Sequence, residues 1–153
     1  MGILFIIAVV GIVAAILLHK SADKTEQEFA NRPYVITDPA KDLFTNEKYA
    51  IVRLFALVQG ASPLTAFDED ISEMVQSIIF SLGLSKSEVE WILKNTMSNP
   101  ERETHRMIDS LKEIRDKNYL RELYHKCHKI ALIGGDSETI EVVNAIFKNE
   151  LGV

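Results

Sequence analysis

The sequence of 153 residues has a single cysteine, Cys127, and no excess of basic residues. One cysteine cannot form an internal disulfide, which excludes a secreted mini-protein held together by disulfides. The net charge of −5 argues against non-specific nucleic-acid binding, because phosphate neutralisation requires a basic excess. No nucleophile elbow, phosphate-binding loop, dinucleotide-binding glycine pattern or zincin helix occurs. We therefore predict that the protein is not an enzyme and needs no cofactor.

Charged residues are also missing from residues 3–18, which read ILFIIAVVGIVAAILL. As an α-helix this run spans about 24 Å. Snorkelling of Lys20 and slight local thinning adapt it to a hydrocarbon core of about 30 Å. A cleaved signal peptide is the alternative, but no Lys or Arg precedes the run, and Lys20 occupies the −3 position of the nearest small-residue pair. We predict that residues 1–20 are an uncleaved transmembrane anchor.

Basic residues follow the apolar run and none precedes it, since Lys20, Lys24 and Arg32 all lie on its C-terminal side. This asymmetry predicts a single-pass protein, of the type found in a bacterial inner membrane, with its domain in the cytosol. Residues 21–44 combine mixed charges with Pro33 and Pro39 and show no periodicity, so they are predicted to be a juxtamembrane linker.

Residues 45–153 carry helical apolar patterns throughout and no convincing alternation with a period of two. Helix boundaries are indicated by Gly83, by the capping box Ser85–Glu88, by Asn99–Pro100 and by Gly134–Gly135. These signals predict an all-α bundle of about six helices. The expected core contains four large residues on the apolar stripes, Phe55, Ile78, Leu123 and Phe147. It also contains Trp91, which lies beside Ile92 in a short capped helix.

Two stretches of the sequence are similar: ALVQGAS at residues 56–62 and ALIGGDS at residues 131–137. In each stretch one helical pattern ends at a glycine and a second helical pattern follows. The second pattern ends in Leu-Gly-Leu in the first case and in Leu-Gly-Val in the second. Any pair of helix hairpins that reverses at a glycine can produce such similarity. The alternative is an internal repeat of two related hairpins.

The last 25 residues, KIALIGGDSETIEVVNAIFKNELGV, resemble the TerB-like family, whose domain also occurs in membrane-anchored DjlA-type co-chaperones. Shared features are a helix ending in Ile-Ala, a glycine turn, a capped acidic start and a closing Leu-Gly-apolar sequence. The resemblance covers roughly residues 46–153, and it implies a fold of two related hairpins and a protein-interaction role in an envelope or stress response. It departs from the family at Ile133-Gly134-Gly135, where Ala-Asp-Gly is usual, and the His-Pro-Asp motif of a J-domain is absent from the sequence.

The resemblance also implies an alternative function, because acidic turn residues of some TerB-like domains are thought to bind a divalent cation. The corresponding candidates are Asp68, Glu69, Asp70 and Asp136. Acidic residues at a helix start can equally serve to complement the helix dipole. The sequence HKCH offers further ligands, but His125 and Cys127 point about 160° apart on a helical wheel, so a buried structural cysteine beside surface histidines is the expected arrangement.

Basic residues are concentrated between residues 106 and 129, in an otherwise acidic chain. Acidic residues interspersed among them indicate a solvated helical face with ion pairs between successive turns. A functional alternative is contact with anionic headgroups or with an acidic partner. The candidate interaction residues are Arg106, Arg115, Arg121 and Lys129.

Overall fold

A computed structural model describes residues 39–135 and 137–153, in which every regular element is a helix. This confirms the predicted all-α fold with about six helices. The six α-helices are α1 (Thr45–Ala61), α2 (Glu69–Ser81), α3 (Lys86–Ser98), α4 (Pro100–Lys112), α5 (Lys117–Gly134) and α6 (Ser137–Asn144). Short 3-10 turns precede α1 (Pro39–Asp42) and α2 (Pro63–Phe67), and α6 continues into a π-helical segment, Ala145–Glu150.

The predicted membrane anchor, residues 1–20, and most of the predicted linker lie outside the described residues. Within those residues, no helix combines the length and the apolar character that crossing a bilayer requires. The described chain begins in contact with the domain, because Ala40 is fully buried and Leu43 packs against the core.

Helix α1 runs through the centre of the bundle, as its nearly continuous apolar sequence predicts. Every residue from Ala50 to Ala56 is buried. The helix packs most extensively against α4 and also contacts α3 and α5. The remaining helices therefore surround α1 and turn their apolar stripes towards it.

The predicted helix boundaries are confirmed where the structure describes them. The Ser85 hydroxyl accepts a hydrogen bond from the Glu88 N–H (3.2 Å), while the Ser85 N–H donates to the Glu88 carboxylate (2.7 Å). Asn99 caps α4 by accepting from the Arg102 N–H at 3.3 Å. Gly135 ends α5 with a φ of 68°, in the left-handed region that glycine favours.

The two similar sequences lead into hairpins that end in the same way. Leu82 and Leu151 are both buried, and each is followed by a glycine with positive φ, 68° at Gly83 and 67° at Gly152. The apolar residue after each glycine packs against the core. The similarity in sequence thus corresponds to matched helix ends, although the first hairpin has the longer turn.

The core prediction is confirmed for Phe55, Ile78, Leu123 and Phe147, which are buried in one continuous cluster. It is wrong for Trp91, which is 54% exposed. Ile92, Leu93 and Thr96 occupy the inward face of α3. Trp91 precedes Ile92 by a rotation of about 100° around the helix. Its ring therefore lies at the outer edge of α3, with its centroid 5.9 Å from that of Tyr49.

Phe67 is also exposed, by 69%, although it precedes Ile71 by four residues and so continues the apolar stripe of α2 in the sequence. The reason is that α2 begins later than the pattern suggests. Asp68 is the N-cap of α2, so Phe67 belongs to the preceding 3-10 turn and does not follow the helical periodicity.

Candidate functional site

The two turns with similar sequence lie against each other in the fold. A Cβ atom added to Gly134 would lie 2.5 Å from Ser62 Oγ and 2.6 Å from Ser62 Cβ, closer than such atoms can approach. Gly134 occupies the position in the second sequence that Gln59 occupies in the first. The contact between the hairpins therefore requires glycine at this position, because only glycine leaves room for Ser62.

Polar atoms are buried beside this contact. Gln59 is completely buried, and among the described residues neither atom of its side-chain amide has a hydrogen-bond partner. The same holds for the Ser62 hydroxyl. The Thr65 hydroxyl donates to the Ser62 carbonyl oxygen at 2.6 Å and the Ser72 hydroxyl to the Ala66 carbonyl oxygen at 3.2 Å. The hydrogen bonds of Thr65 and Ser72 fix the conformation of the longer first turn.

Exposed apolar side chains lie on both of the segments that form this contact. The 3-10 turn packs against α5. Leu64 and Phe67 on the turn are 76% and 69% exposed, and Leu132 and Ile133 at the end of α5 are 56% and 48% exposed. We call these four residues the turn surface. Isolated exposed apolar residues are ordinary, but four large ones on two adjacent segments are typical of a protein-interaction site.

The two hairpins differ in how far they bury side chains at equivalent positions of the similar sequences. Leu132 and Ile133 correspond in sequence to Leu57 and Val58. In the first hairpin Leu57 is half-buried and Val58 is buried. The second hairpin thus exposes a pair of side chains whose counterparts contribute to the core of the first.

The predicted metal candidates occupy the start of α2, next to Phe67. Asp68 Oδ1 accepts a hydrogen bond from the Ile71 N–H at 3.0 Å, which is an N-cap contact, and Glu69 and Asp70 are exposed in the first helical turn. Asp136 lies outside the described residues. Across residues 39–135 and 137–153, no group of three His, Cys, Asp or Glu side chains is arranged to hold a metal ion.

We expect the full-length protein in detergent to bind Ca²⁺ or Mg²⁺ no more tightly than about millimolar, the weak end for carboxylate sites. The physical reason is that the Asp68 carboxylate is already used as a helix cap, while Glu69 and Asp70 point into solvent. Isothermal titration calorimetry measures the affinity. Micromolar binding that disappears in Asp68→Asn or Asp136→Asn would contradict this expectation and favour the metal-sensing alternative.

The side chains of the HKCH sequence are spread around α5. Cys127 is fully buried, His128 is half-buried and His125 is exposed, in agreement with the predicted structural cysteine beside surface histidines. Burial raises the pKa of the Cys127 thiol, which keeps it in the unreactive protonated form.

The predicted basic interaction residues are all exposed. Arg106 on α4 lies 3.5 Å from Glu103 Oε1, Arg115 is in the connection between α4 and α5, and Arg121 on α5 donates to Asn118 Oδ1 at 3.0 Å. Lys129 lies further along α5. Their role in binding an acidic partner or headgroup stays a prediction.

The structure contains a buried ion pair between α1 and α4 that the sequence patterns did not predict. Arg53 Nη2 lies 3.0 Å from Glu103 Oε2, and both side chains are less than a tenth exposed. The sequence does contain a signal for it, because Arg53 is the one charged residue in the apolar run Ala50–Val58. A charge at the centre of a buried helix requires a partner of opposite charge.

Leu132 and Ile133 could also have been identified from the sequence. Residues 130–133 are four consecutive apolar residues within a helix. Successive residues are rotated by about 100°, so on a helix that packs through one face only, four of them cannot all face the core. The structure buries Ile130 and Ala131 and leaves the following two exposed.

Replacing Gly134 with alanine is expected to destabilise the protein by about 1–3 kcal/mol, the usual cost of overpacking, despite the better helix propensity of alanine. The added methyl group would overlap Ser62 Oγ and Cβ. Denaturant unfolding should show that Ser62→Gly, which removes both atoms, restores most of the loss in the double variant. Equal effects of Gly134→Ala with and without Ser62→Gly would argue against this contact.

Comparison of the chain with protein-family models, with curated protein sequences and with solved structures gives no significant match.

Proposed function

We propose that this chain is a membrane-tethered helical module that binds a protein partner through the turn surface, and that it is not an enzyme. The observation that carries the proposal is the grouping of exposed Leu64, Phe67, Leu132 and Ile133 on two adjacent segments. A protein partner would bury the exposed part of these side chains. Burial of a whole side chain of this kind contributes about 1.5–3 kcal/mol, and the exposed half to three quarters contributes in proportion.

The charges around the turn surface indicate the chemistry of the partner. Asp68, Glu69 and Asp70 follow Phe67 directly, and Glu138 follows the second turn. An apolar surface with an acidic rim is complementary to an amphipathic segment that has apolar anchors and basic flanking residues. The partner class is therefore a basic amphipathic helix or strand.

The tether in this proposal is residues 3–18, inserted as a single-pass anchor, with the helical domain in the cytosol. The apolar run and the basic residues after it support this arrangement. The resemblance to TerB-like domains supports an envelope or stress-response setting. The matched helix ends of the two hairpins are consistent with that resemblance.

Site-specific photo-crosslinking of the full chain in native membranes tests the partner surface. With a photo-activatable residue at position 133, we expect one discrete adduct, which should be lost when Leu64→Ser is added. The matched control is the same probe at Asp109, which is exposed on α4. The proposal would be wrong if position 133 gave no adduct, or if positions 133 and 109 gave the same adducts.

Membrane attachment and orientation are tested separately. We expect the chain to resist alkaline carbonate extraction and a reporter fused after Val153 to be active only in a cytosolic form. Release by carbonate would exclude the anchor. A reporter active only outside the membrane would exclude the cytosolic orientation while leaving the anchor intact.

A further inference from the structure

A second exposed group of aromatic residues lies where the described chain enters the domain. Phe44 precedes α1 and is 78% exposed, and Trp91 is 54% exposed beside Tyr49 of α1. Lys48 is one helical turn after Phe44, and Lys94 is one turn after Trp91. We call these five residues the entry surface.

Acidic residues also lie close in sequence to the residues of the entry surface, and three of them form local contacts. Glu47 is buried and its carboxylate accepts from the Phe44 N–H at 2.8 Å. Glu88 accepts from the Ser85 N–H, and Glu90 pairs with Lys86 at 4.0 Å. Asp42, Glu88 and Glu90 are exposed, so their charges offset part of the positive charge of the lysines.

The two lysines of the entry surface differ from Glu90 in their ion pairing. Within the described part of the chain, neither Lys48 nor Lys94 forms an ion pair. The entry surface therefore combines exposed Trp, partly exposed Tyr and free Lys side chains. This is the combination that proteins place at the boundary between a bilayer and water, where the aromatic ring is amphipathic and the ammonium group reaches phosphates.

We propose that the entry surface rests on the headgroup region of the bilayer into which residues 3–18 insert. This inference depends on the proposed anchor. Residues 21–38 separate the proposed anchor from the described domain, and a chain of this length can span at most about 65 Å. A tether of that length is long enough for any face of the domain to reach the membrane, so the chemistry of each surface decides which face is held there.

The charged residues beside the two exposed surfaces distinguish the entry surface from the turn surface. The turn surface is bordered by the three acidic residues Asp68–Asp70, while Lys129, one turn before Ile133, is an exposed basic residue of α5. The acidic residues outnumber this lysine, so anionic headgroups would be repelled. The entry surface has Lys48 and Lys94 beside its aromatic residues. It also lies at the end of the domain where the tether attaches. With the entry surface on the bilayer, the turn surface remains available to a protein partner.

Trp91 is the only tryptophan in the chain, so its fluorescence reports directly on this surface. The full chain is reconstituted into vesicles that contain phosphatidylcholine and phosphatidylglycerol, with or without bromine on the acyl chains. We expect brominated lipid to quench Trp91 emission. The loss of emission should shrink in the Lys48→Glu, Lys94→Glu double variant, because the anionic headgroups then repel the surface.

The matched control moves the probe to the turn surface through the paired substitutions Trp91→Phe and Phe67→Trp, and its emission should be unaffected by brominated lipid. Absence of Trp91 quenching in protein that resists carbonate extraction would overturn the inference while the anchor stands. Equal quenching of both probes would also overturn it. A concentration-dependent blue shift of Trp91 emission without quenching would instead assign the surface to a second copy of the chain.

Discussion

Replacing Glu103 with alanine is expected to lower the free energy of unfolding by about 3–5 kcal/mol, because it leaves a buried guanidinium without its partner. Arg53 lies in the central helix, and its only opposite charge within 4.0 Å among the described residues is Glu103. The loss would come mainly from the uncompensated charge of Arg53.

The geometry of the pair explains why the penalty should be large. Burial lowers the pKa of Arg53, and the negative charge of Glu103 offsets this effect in part. The 3.0 Å approach of Nη2 to Oε2 is an ion pair without the alignment of a hydrogen bond, and Arg53 Nε has no partner among the described residues. The pair is therefore costly to bury and more costly to break.

Urea unfolding followed by circular dichroism measures this effect. Asp109→Ala is the matched control, because Asp109 is an exposed carboxylate on the same helix and should change stability by no more than about 0.5 kcal/mol. Replacing both partners, Arg53→Met with Glu103→Leu, should recover most of the loss. If Glu103→Ala behaved like Asp109→Ala, the ion pair would not be a determinant of stability.

Truncation of Phe147 to alanine is expected to cost about 3–5 kcal/mol, the usual range for a fully buried phenylalanine. Phe147 is completely buried in the π-helical segment after α6, and its ring centroid is 5.4 Å from that of Tyr124 on α5. The Val153 N–H donates to the Phe147 carbonyl oxygen at 2.9 Å. Loss of the ring would leave a cavity between α5 and the C-terminal segment.

Thermal melts followed by circular dichroism test this second prediction. Asn149→Ala is the control, since Asn149 is exposed in the same segment. Phe147→Leu should fall between the two, because it retains most of the buried apolar volume. An unchanged melting midpoint for Phe147→Ala would show that the second hairpin does not depend on this side chain.

The prediction of weak metal binding depends on the role of the Asp68 carboxylate, which can be either a helix cap or a metal ligand. A carboxylate that caps a helix complements the positive end of the helix dipole and satisfies a free N–H. The sequence pattern of acidic residues after a turn fits both a cap and a ligand, and the hydrogen bond to Ile71 identifies Asp68 as a cap.

The helices and their ends could be predicted from the sequence because their causes are local. The Ser85–Glu88 capping box, the Asn99 cap and the glycine at 135 act through hydrogen bonds and φ angles within a few residues. The apolar stripes of α2, α4 and α5 have the period of the helix itself. These signals do not depend on which helices come to lie next to each other.

Other features depend on the packing of segments that are distant in the chain, and only the tertiary structure decided them. The pairing of Arg53 with Glu103 requires α1 to lie against α4, and the need for glycine at 134 arises only where the second turn meets Ser62. The exposure of Trp91 follows from which face of α3 packs against the other helices. A residue's hydrophobicity determines its tendency to be buried, but the surface available to cover it is set by the arrangement of the other helices.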